Sequence, residues 1–368
     1  MWHSATAKGQ SHYIMMHLLL RSGVIVLALV ITSGCAKLGY YTQAIGGQLE
    51  ILAKRRSIPA LLDDPDTAPE LGARLAPILE MRTFASEELG LPDNKSYRTY
   101  VDLKRRYAVW NVFAAPELSL DPVNWCFVFV GCVSYRGYFS ERGAQKFANK
   151  LAQDNYDVYV AGIAAYSTLG WFHDPMLNTI LRRTEPEIAG LIFHELTHQV
   201  VYVRGHTEFN ESFALTVELE GIKRWLAAKG STDQFQKYLV SKKRRDEFVQ
   251  LVMKLRRQLG EIYAAETSDD EKRAAKQEAF IRIRRNYEEL KKDWGGYTGH
   301  DAWFTRDLNN AHLVSVGLYN QYVPAFQALL SQHNGDFKAF YGVVQELSQL
   351  SKAKRAEKLR SLQVTTSQ

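Results

Sequence analysis

Strong charge, long apolar runs, repeats and cysteines are all scarce in this sequence, and each scarcity excludes something. A formal net charge of +6 over 368 residues is mild. No basic stripe interleaved with aromatics stands out, so nucleic acid is not an expected partner. With 46% hydrophobic and 23% charged residues, the composition is that of a globular chain and not a disordered one. The chain is long enough to bury a substantial core, in one large domain or two small ones. No internal repeat or low-complexity segment marks it as an array. The apolar run from Val24 to Ile31 is too short for a confident membrane span. The cysteines are Cys35, Cys126 and Cys132.

Residues 1–34 read as a leader. "MMHLLLRSGVIVLALVITSGCAKL" sets a basic residue ahead of the apolar run and small residues after it, the layout of a signal peptide. Thr32-Ser33-Gly34-Cys35 resembles the bacterial lipobox, with Thr where Leu is usual. A lipidated Cys35 would become the mature N-terminus and tether the chain to a membrane. Ala36 follows it, and not Asp, which by analogy with Gram-negative sorting points to the outer membrane. The expectation is a lipid-anchored, periplasm-facing protein of residues 35–368. Cys126 and Cys132 would then remain. In an oxidising compartment they could pair. Along one strand, however, an i,i+6 pair lies about 20 Å apart, so a disulfide requires a bend or hairpin; two buried thiols are the alternative.

The apolar spacing predicts a helical part over 36–111, broken by Pro59 and "DDPDTAP". A β-rich part over 112–170 follows, with "AVWNVFAAP", "NWCFVFVGCVSYRGYF" and "YDVYVAGIAAYST" as strands and "SERGAQKFANKLAQDN" as a helix between the last two. Residues 171–230 read as two helices. The first is announced by Thr184, with Glu187 three residues on for a capping box, and by Pro186 in its first turn. Residues 231–292 predict a long charged hairpin, turning at Thr267-Ser268-Asp269, whose charges form a solvated face. Residues 293–368 close the chain with further helices. The fold class is α+β.

The chemistry gathers in "LIFHELTHQVVYVRGHTEFNESFALTVELEG", residues 191–221. His194-Glu195-Leu196-Thr197-His198 is the H-E-x-x-H pattern of zinc hydrolases. Residues i and i+4 share a helix face, so His194 and His198 can offer two imidazole nitrogens to one Zn²⁺. Glu195 can sit beside the ion without ligating it and act as general base. A third ligand is needed. The histidine-rich extension with Gly and then His fails, because Val201 and Arg204 occupy those positions. His206 follows Gly205 and falls in the connecting loop. Glu211 and Glu218, seven residues apart on one face of the second helix, both remain open.

"HELTHQ" followed by "NESFALTVE" resembles the arrangement of gluzincin aminopeptidases, in which the glutamate after Asn is the third zinc ligand. The resemblance implies a zincin-like fold and puts that role on Glu211, across a shorter loop than is usual in that group. Glu218 is then a partner for a ligating histidine. More widely, "GCVSYRGYF", "AAYSTLGWFHDP", "FNESFA" and "NNAHLVSVGLYNQYVPAF" resemble a set of bacterial lipoproteins known as predicted aminopeptidases. This implies one zinc ion, a peptide substrate and hydrolysis by activated water.

Such an enzyme needs an edge strand for the substrate backbone and an oxyanion donor. "VAGIAAYSTLG" lies where that strand is expected. Its Gly162, Ala164 and Ala165 either leave room for a peptide or simply pack a core. Among 19 tyrosines, Tyr319 and Tyr166 are the candidates to stabilise the oxyanion. Asn309 and Asn310 would bind substrate or cap a helix. An aminopeptidase also needs an acid for the α-amine. No G-x-M-E-N pattern supplies one, and Glu208, Glu218, Glu220 and Asp174 stand undiscriminated. Two other readings follow: an envelope endopeptidase, or a metal-stabilised scaffold that binds partners through the charged hairpin.

Overall fold

The computed structural model describes residues 39–127, 131–168, 170–316 and 321–365; the leader and Cys35 lie outside them. The chain divides into two compact units, Met1–Ala53 and Lys54–Gln368. The described part of the first is a helix, α1, over residues 39–53. The second is α+β and mostly helical, and it carries all the elements below. Among the described residues no helix is long and apolar enough to cross a membrane.

Among the described residues, eight strands appear in chain order: β1 (Arg56–Ser57), β2 (Thr99–Val101), β3 (Val109–Pro116), β4 (Trp125–Phe127), β5 (Gly131–Val133), β6 (Arg136–Tyr138), β7 (Tyr156–Ile163) and β8 (Met176–Leu177). In one sheet β2 pairs antiparallel with β1 and parallel with β8. In a second, β3 lies between β6 and β7, antiparallel to both, with Val109 opposite Ile163 and Pro116 opposite Tyr156. The third is the β4–β5 hairpin, where Cys126 faces Cys132 and the two form a disulfide. The buried-thiol alternative is thereby corrected. A hairpin turns an i,i+6 pair into cross-strand neighbours, and both cysteines are exposed.

The helices of this unit are α2 (Ile58–Leu62), α3 (Pro69–Glu87), α4 (Glu141–Gln153), α5 (Glu185–Thr197), α6 (Thr207–Ala228), α7 (Thr232–Ala264), α8 (Asp269–Asp293), α9 (Asp301–Phe304), α10 (Asn310–Val314), α11 (Val323–Gln332), α12 (Phe337–Gln349) and α13 (Lys352–Thr365). The helical character expected to residue 111 stops at Glu87. Beyond it Gly90 is left-handed at φ 63, and the segment 92–97 is a loop stapled by Arg82. That side chain is fully buried and donates to the carbonyls of Ser96 (2.9 Å), Pro92 (3.0 Å) and Asn94 (3.2 Å). A buried guanidinium is tolerated because its donors are used.

Helix α6 has two faces. Phe209, Phe213 and Val217, at spacings of four, are buried, with Phe209 and Phe213 edge-on or tilted against Phe326, and Phe213 against Phe340 and Tyr341. Glu211 and Glu218 point the other way, toward α5. Helices α7 and α8 form the expected hairpin. A capping box between Ser268 and Glu271 starts α8, and the core between the helices includes Val252, Leu255, Leu259, Phe280, Ile283 and Tyr287.

Candidate metal centre

Helix α5 begins where the sequence places it. The Glu187 carboxylate accepts from both the N–H (3.0 Å) and the hydroxyl (2.9 Å) of Thr184, satisfying donors that a helix start leaves orphaned. Two glycines set how closely α5 and α6 pack. A Cβ on Gly190 would stand 2.6 Å from Ile222 Cδ1, and one on Gly221 would stand 2.7 Å from the Phe193 ring. The connection over residues 198–206 is shaped by Asn210. Its amide side chain accepts from the Val203 N–H (2.8 Å) and donates to the Val203 carbonyl (2.9 Å). Asn210 thus closes the short loop as a neighbouring strand would, and Glu211 follows it at the mouth.

The result is a convergence. His194 Nε2 lies 3.2 Å from Glu211 Oε2, and His198 Nε2 lies 3.6 Å from Glu211 Oε1. One ligand atom from each of His194, His198 and Glu211 falls within 4.8 Å of the others, a set able to hold a metal ion. Glu218 stands behind this set. Its carboxylate takes His194 Nδ1 at 2.9 Å and is itself held by the Tyr238 hydroxyl at 2.7 Å. The two glutamates differ in position: Glu211 faces both histidines, while Glu218 meets only the far nitrogen of one. His198 is held by packing. Its ring is edge-on to His194 and Tyr202, and its Nδ1 is buried without a hydrogen-bond partner among the described residues.

The electrostatics of this cluster call for positive charge. Burial disfavours an imidazolium at His194, but the hydrogen bonds it donates to Glu211 and Glu218 outweigh it and push the group up to about 10. His198 is pushed down to about 4, by burial first and then by the charge on His194. The His194, His198 and Glu211 donors suit a divalent metal, since ligating histidines are neutral and ligating carboxylates ionised.

Glu195, beside His194, is raised above the usual carboxylate range by burial, opposed by the His194 charge and a hydrogen bond from Ser167. Three segments meet here: α5 with Glu195, the 167–174 loop and the segment at Tyr97. Ser167 sits between Glu195 and Asp174, whose Oδ2 is 3.2 Å from its hydroxyl. Buried Asp174 also accepts from the N–H of Thr168 (2.9 Å). The third segment brings Tyr97, buried and left-handed at φ 61, whose pKa burial raises well above 10, with further contributions from Glu195 and Asp174. A bulky residue in that backbone region is strained. The sequence reading missed Tyr97, Asn210, Tyr202 and Tyr238. Only Tyr202 carried a signal, standing four residues beyond His198, although the helix ends before it and the loop brings it to the His198 ring.

The other candidates separate clearly. Tyr166 packs edge-on against Phe139, one residue before Ser167; Tyr319 lies outside the described residues. His206 is the N-cap of α6 and accepts at Nδ1 from buried Arg355 at 2.7 Å. Asn309 caps α10, accepting from the Ala311 N–H, and donates to Val158 O on β7. The Asn310 amide nitrogen donates to the carbonyls of Pro116, Glu117 and Ser119, and its oxygen accepts from Tyr263. Both asparagines are thus structural, and substrate binding by them is corrected. Gly162 owes its size to the Tyr107 ring, which would stand 2.2 Å from a Cβ. That glycine is half-buried under the ring, and β7, paired only with β3 among the described residues, is an edge of its sheet. Of the acids named for an α-amine, Glu218 serves His194, Asp174 holds its turn, and Glu220 pairs with Lys223 and Arg224.

No curated protein and no solved structure matched this chain. Over residues 39–359, which include every residue of this centre, the sequence matches the model of a family described as Putative aminopeptidase, and the chain belongs to that family.

Proposed function

We propose that the chain is a zinc-dependent peptidase of the gluzincin type and zincin-like fold, acting as an aminopeptidase in a Gram-negative cell envelope and tethered there through a lipid on Cys35. The observation that carries the chemistry is the convergence of His194, His198 and Glu211 beside Glu195. Two imidazoles and one carboxylate, with no fourth protein ligand among the described residues, are the donor set of a catalytic zinc; structural zinc sites typically have four protein ligands. Bound there, zinc would supply a Lewis acid that polarises a carbonyl and acidifies water.

The chain's own residues do the rest. Glu218, braced by Tyr238, holds His194 with Nδ1 turned away from the ligand position, which fixes the tautomer and leaves Nε2 to bind. Glu195 takes a proton from the attacking water and returns it to the departing amine. Its burial raises its proton affinity above that of an ordinary carboxylate, and a hydrogen bond from Ser167 orients it. Tyr166 and Tyr319 are the phenols proposed to steady the oxyanion. The test is Glu195→Gln in the full-length chain. It should keep zinc and lose hydrolysis by about 10³-fold; a fully active variant overturns the role.

Endopeptidase action is the second reading: Glu218, Asp174 and Glu220 are engaged with other partners, which leaves Glu208 as the one acid of the four named that could take a substrate amine. N-acetylated peptides separate the two, because only the endopeptidase should cut them.

A further inference from the structure

Two loops flank the last turn of α5, and both present aromatic rings to solvent. Tyr202, 49% exposed, lies edge-on to His198 with ring centroids 5.9 Å apart. On the other loop Trp171 is 79% exposed and Phe172 is 45% exposed, and neither ring stacks on another among the described residues. That loop starts at Ser167, which touches Glu195. It then passes the end of α5, where a Cβ on Gly170 would stand 3.1 Å from the Gln199 side chain. Gln199 directly follows His198.

The exposure is built in. The Thr168 hydroxyl accepts from the Phe172 N–H (3.0 Å) and donates to Asp174 (2.8 Å). The Trp171 N–H reaches the Thr168 carbonyl (3.1 Å). Buried Val201 and the Asn210 clamp on Val203 hold the other loop on both sides of Tyr202. Backbones fixed in this way leave about half of the Tyr202 and Phe172 side chains and most of Trp171 in solvent. Aromatic rings displayed beside a reactive centre are characteristic of a binding subsite, since each can bury 150–250 Å² at low entropic cost.

We infer that Trp171, Phe172 and Tyr202 form an aromatic rim beside the metal centre that selects peptides with a large apolar side chain next to the scissile bond. This deepens the peptidase reading and rests on it. The side chain packs between the rings as the peptide bond reaches Glu195. The loops are already in place, so little ordering is required on binding.

The test compares zinc-loaded full-length wild type, Trp171→Ala and Trp171→Phe on two peptides that differ only in Phe or Ala beside the cleaved bond. Wild type should prefer the Phe peptide in kcat/KM by about 10-fold or more. Trp171→Ala should collapse that ratio, mainly through KM, and Trp171→Phe should restore most of it. An unchanged ratio in Trp171→Ala, or equal activity of wild type on both peptides, overturns the rim while leaving the peptidase reading intact. Wild type that cleaves neither peptide, nor any of a mixed set, overturns both. An inactive Trp171→Ala is told from misfolding by its zinc content, and inactivity on both peptides with zinc intact also counts against a selective role.

Discussion

Two pairs of helices in this molecule solve the packing problem in opposite ways. The α7–α8 hairpin buries Val252, Leu255, Leu259, Phe280 and Ile283 between its helices and turns its charges outward. The α5–α6 pair brings its helices together over Gly190 and Gly221 and buries imidazoles and carboxylates between them. Apolar burial stabilises the first pair at roughly 25 cal/mol per Å². The second gathers groups whose desolvation costs free energy unless they are paired or bound to a cation. The hairpin is scaffold, and the α5–α6 pair is a site that its surroundings must hold together. The bracing comes from Tyr238 at the start of α7, Asn210 in the loop, and the aromatic layer of α11 and α12 on the far face of α6.

The comparison breaks most sharply if a core residue of the hairpin is removed. Leu259→Ala, at a fully buried position, should cost about 3 kcal/mol in denaturant unfolding and leave zinc stoichiometry unchanged; loss of zinc along with stability would make the hairpin part of the site. Next comes the bracing carboxylate. Glu218→Ala should weaken zinc by about 10- to 100-fold in competition with a chromophoric chelator, and an unaltered affinity would reduce Glu218 to packing.

A buried histidine outside the centre gives a third test. His312, stacked on Tyr159, is pushed down to about 3 by burial and then by Arg306 and Arg284. Its folded pKa is depressed, so its contribution to stability is complete above the unfolded value of about 6.5 and is lost as pH falls toward 3. Between pH 6.5 and pH 5 that loss is about 2 kcal/mol, and His312→Gln should flatten the slope of unfolding free energy over this window; an unchanged slope assigns it to other groups. The smallest effect is expected at the helix contact. Gly221→Ala meets the Phe193 ring and Leu89, and overpacking less the gain in helix propensity leaves a net cost of about 1 kcal/mol. Zinc affinity should fall with it, because α6 must move; a stabilised variant with full affinity would show that the close approach is not needed.

The sequence made local features readable and left out those made by chain segments meeting. The capping box at Thr184, the H-E-x-x-H face and the turn at Ser268 depend on residues three or four apart, which a helix brings together by itself. Strands β3 and β7 likewise follow from their aromatic and β-branched composition. Glu211 and Glu218 lie on one helix face, so periodicity could not rank them; the ranking came from the distance that Gly190 and Gly221 permit and from the loop that Asn210 closes. Tyr238 reaches Glu218 from another helix, and nothing in its neighbourhood advertises that. The 92–97 loop falls in a stretch whose pattern predicts helix, because its anchor, Arg82, looks like an ordinary helical arginine until its carbonyl partners are known. Gly162 was ambiguous for the same reason, since Tyr107 fills the space above it.

The most direct test of the central claim is the zinc bound per full-length chain, measured for wild type, Glu211→Ala and Glu218→Ala. The expected result is one zinc in wild type, retained with lower affinity in Glu218→Ala and lost in Glu211→Ala. Zinc retained in Glu211→Ala, or absent from wild type under zinc-replete conditions, would contradict the assignment of His194, His198 and Glu211 as the metal centre.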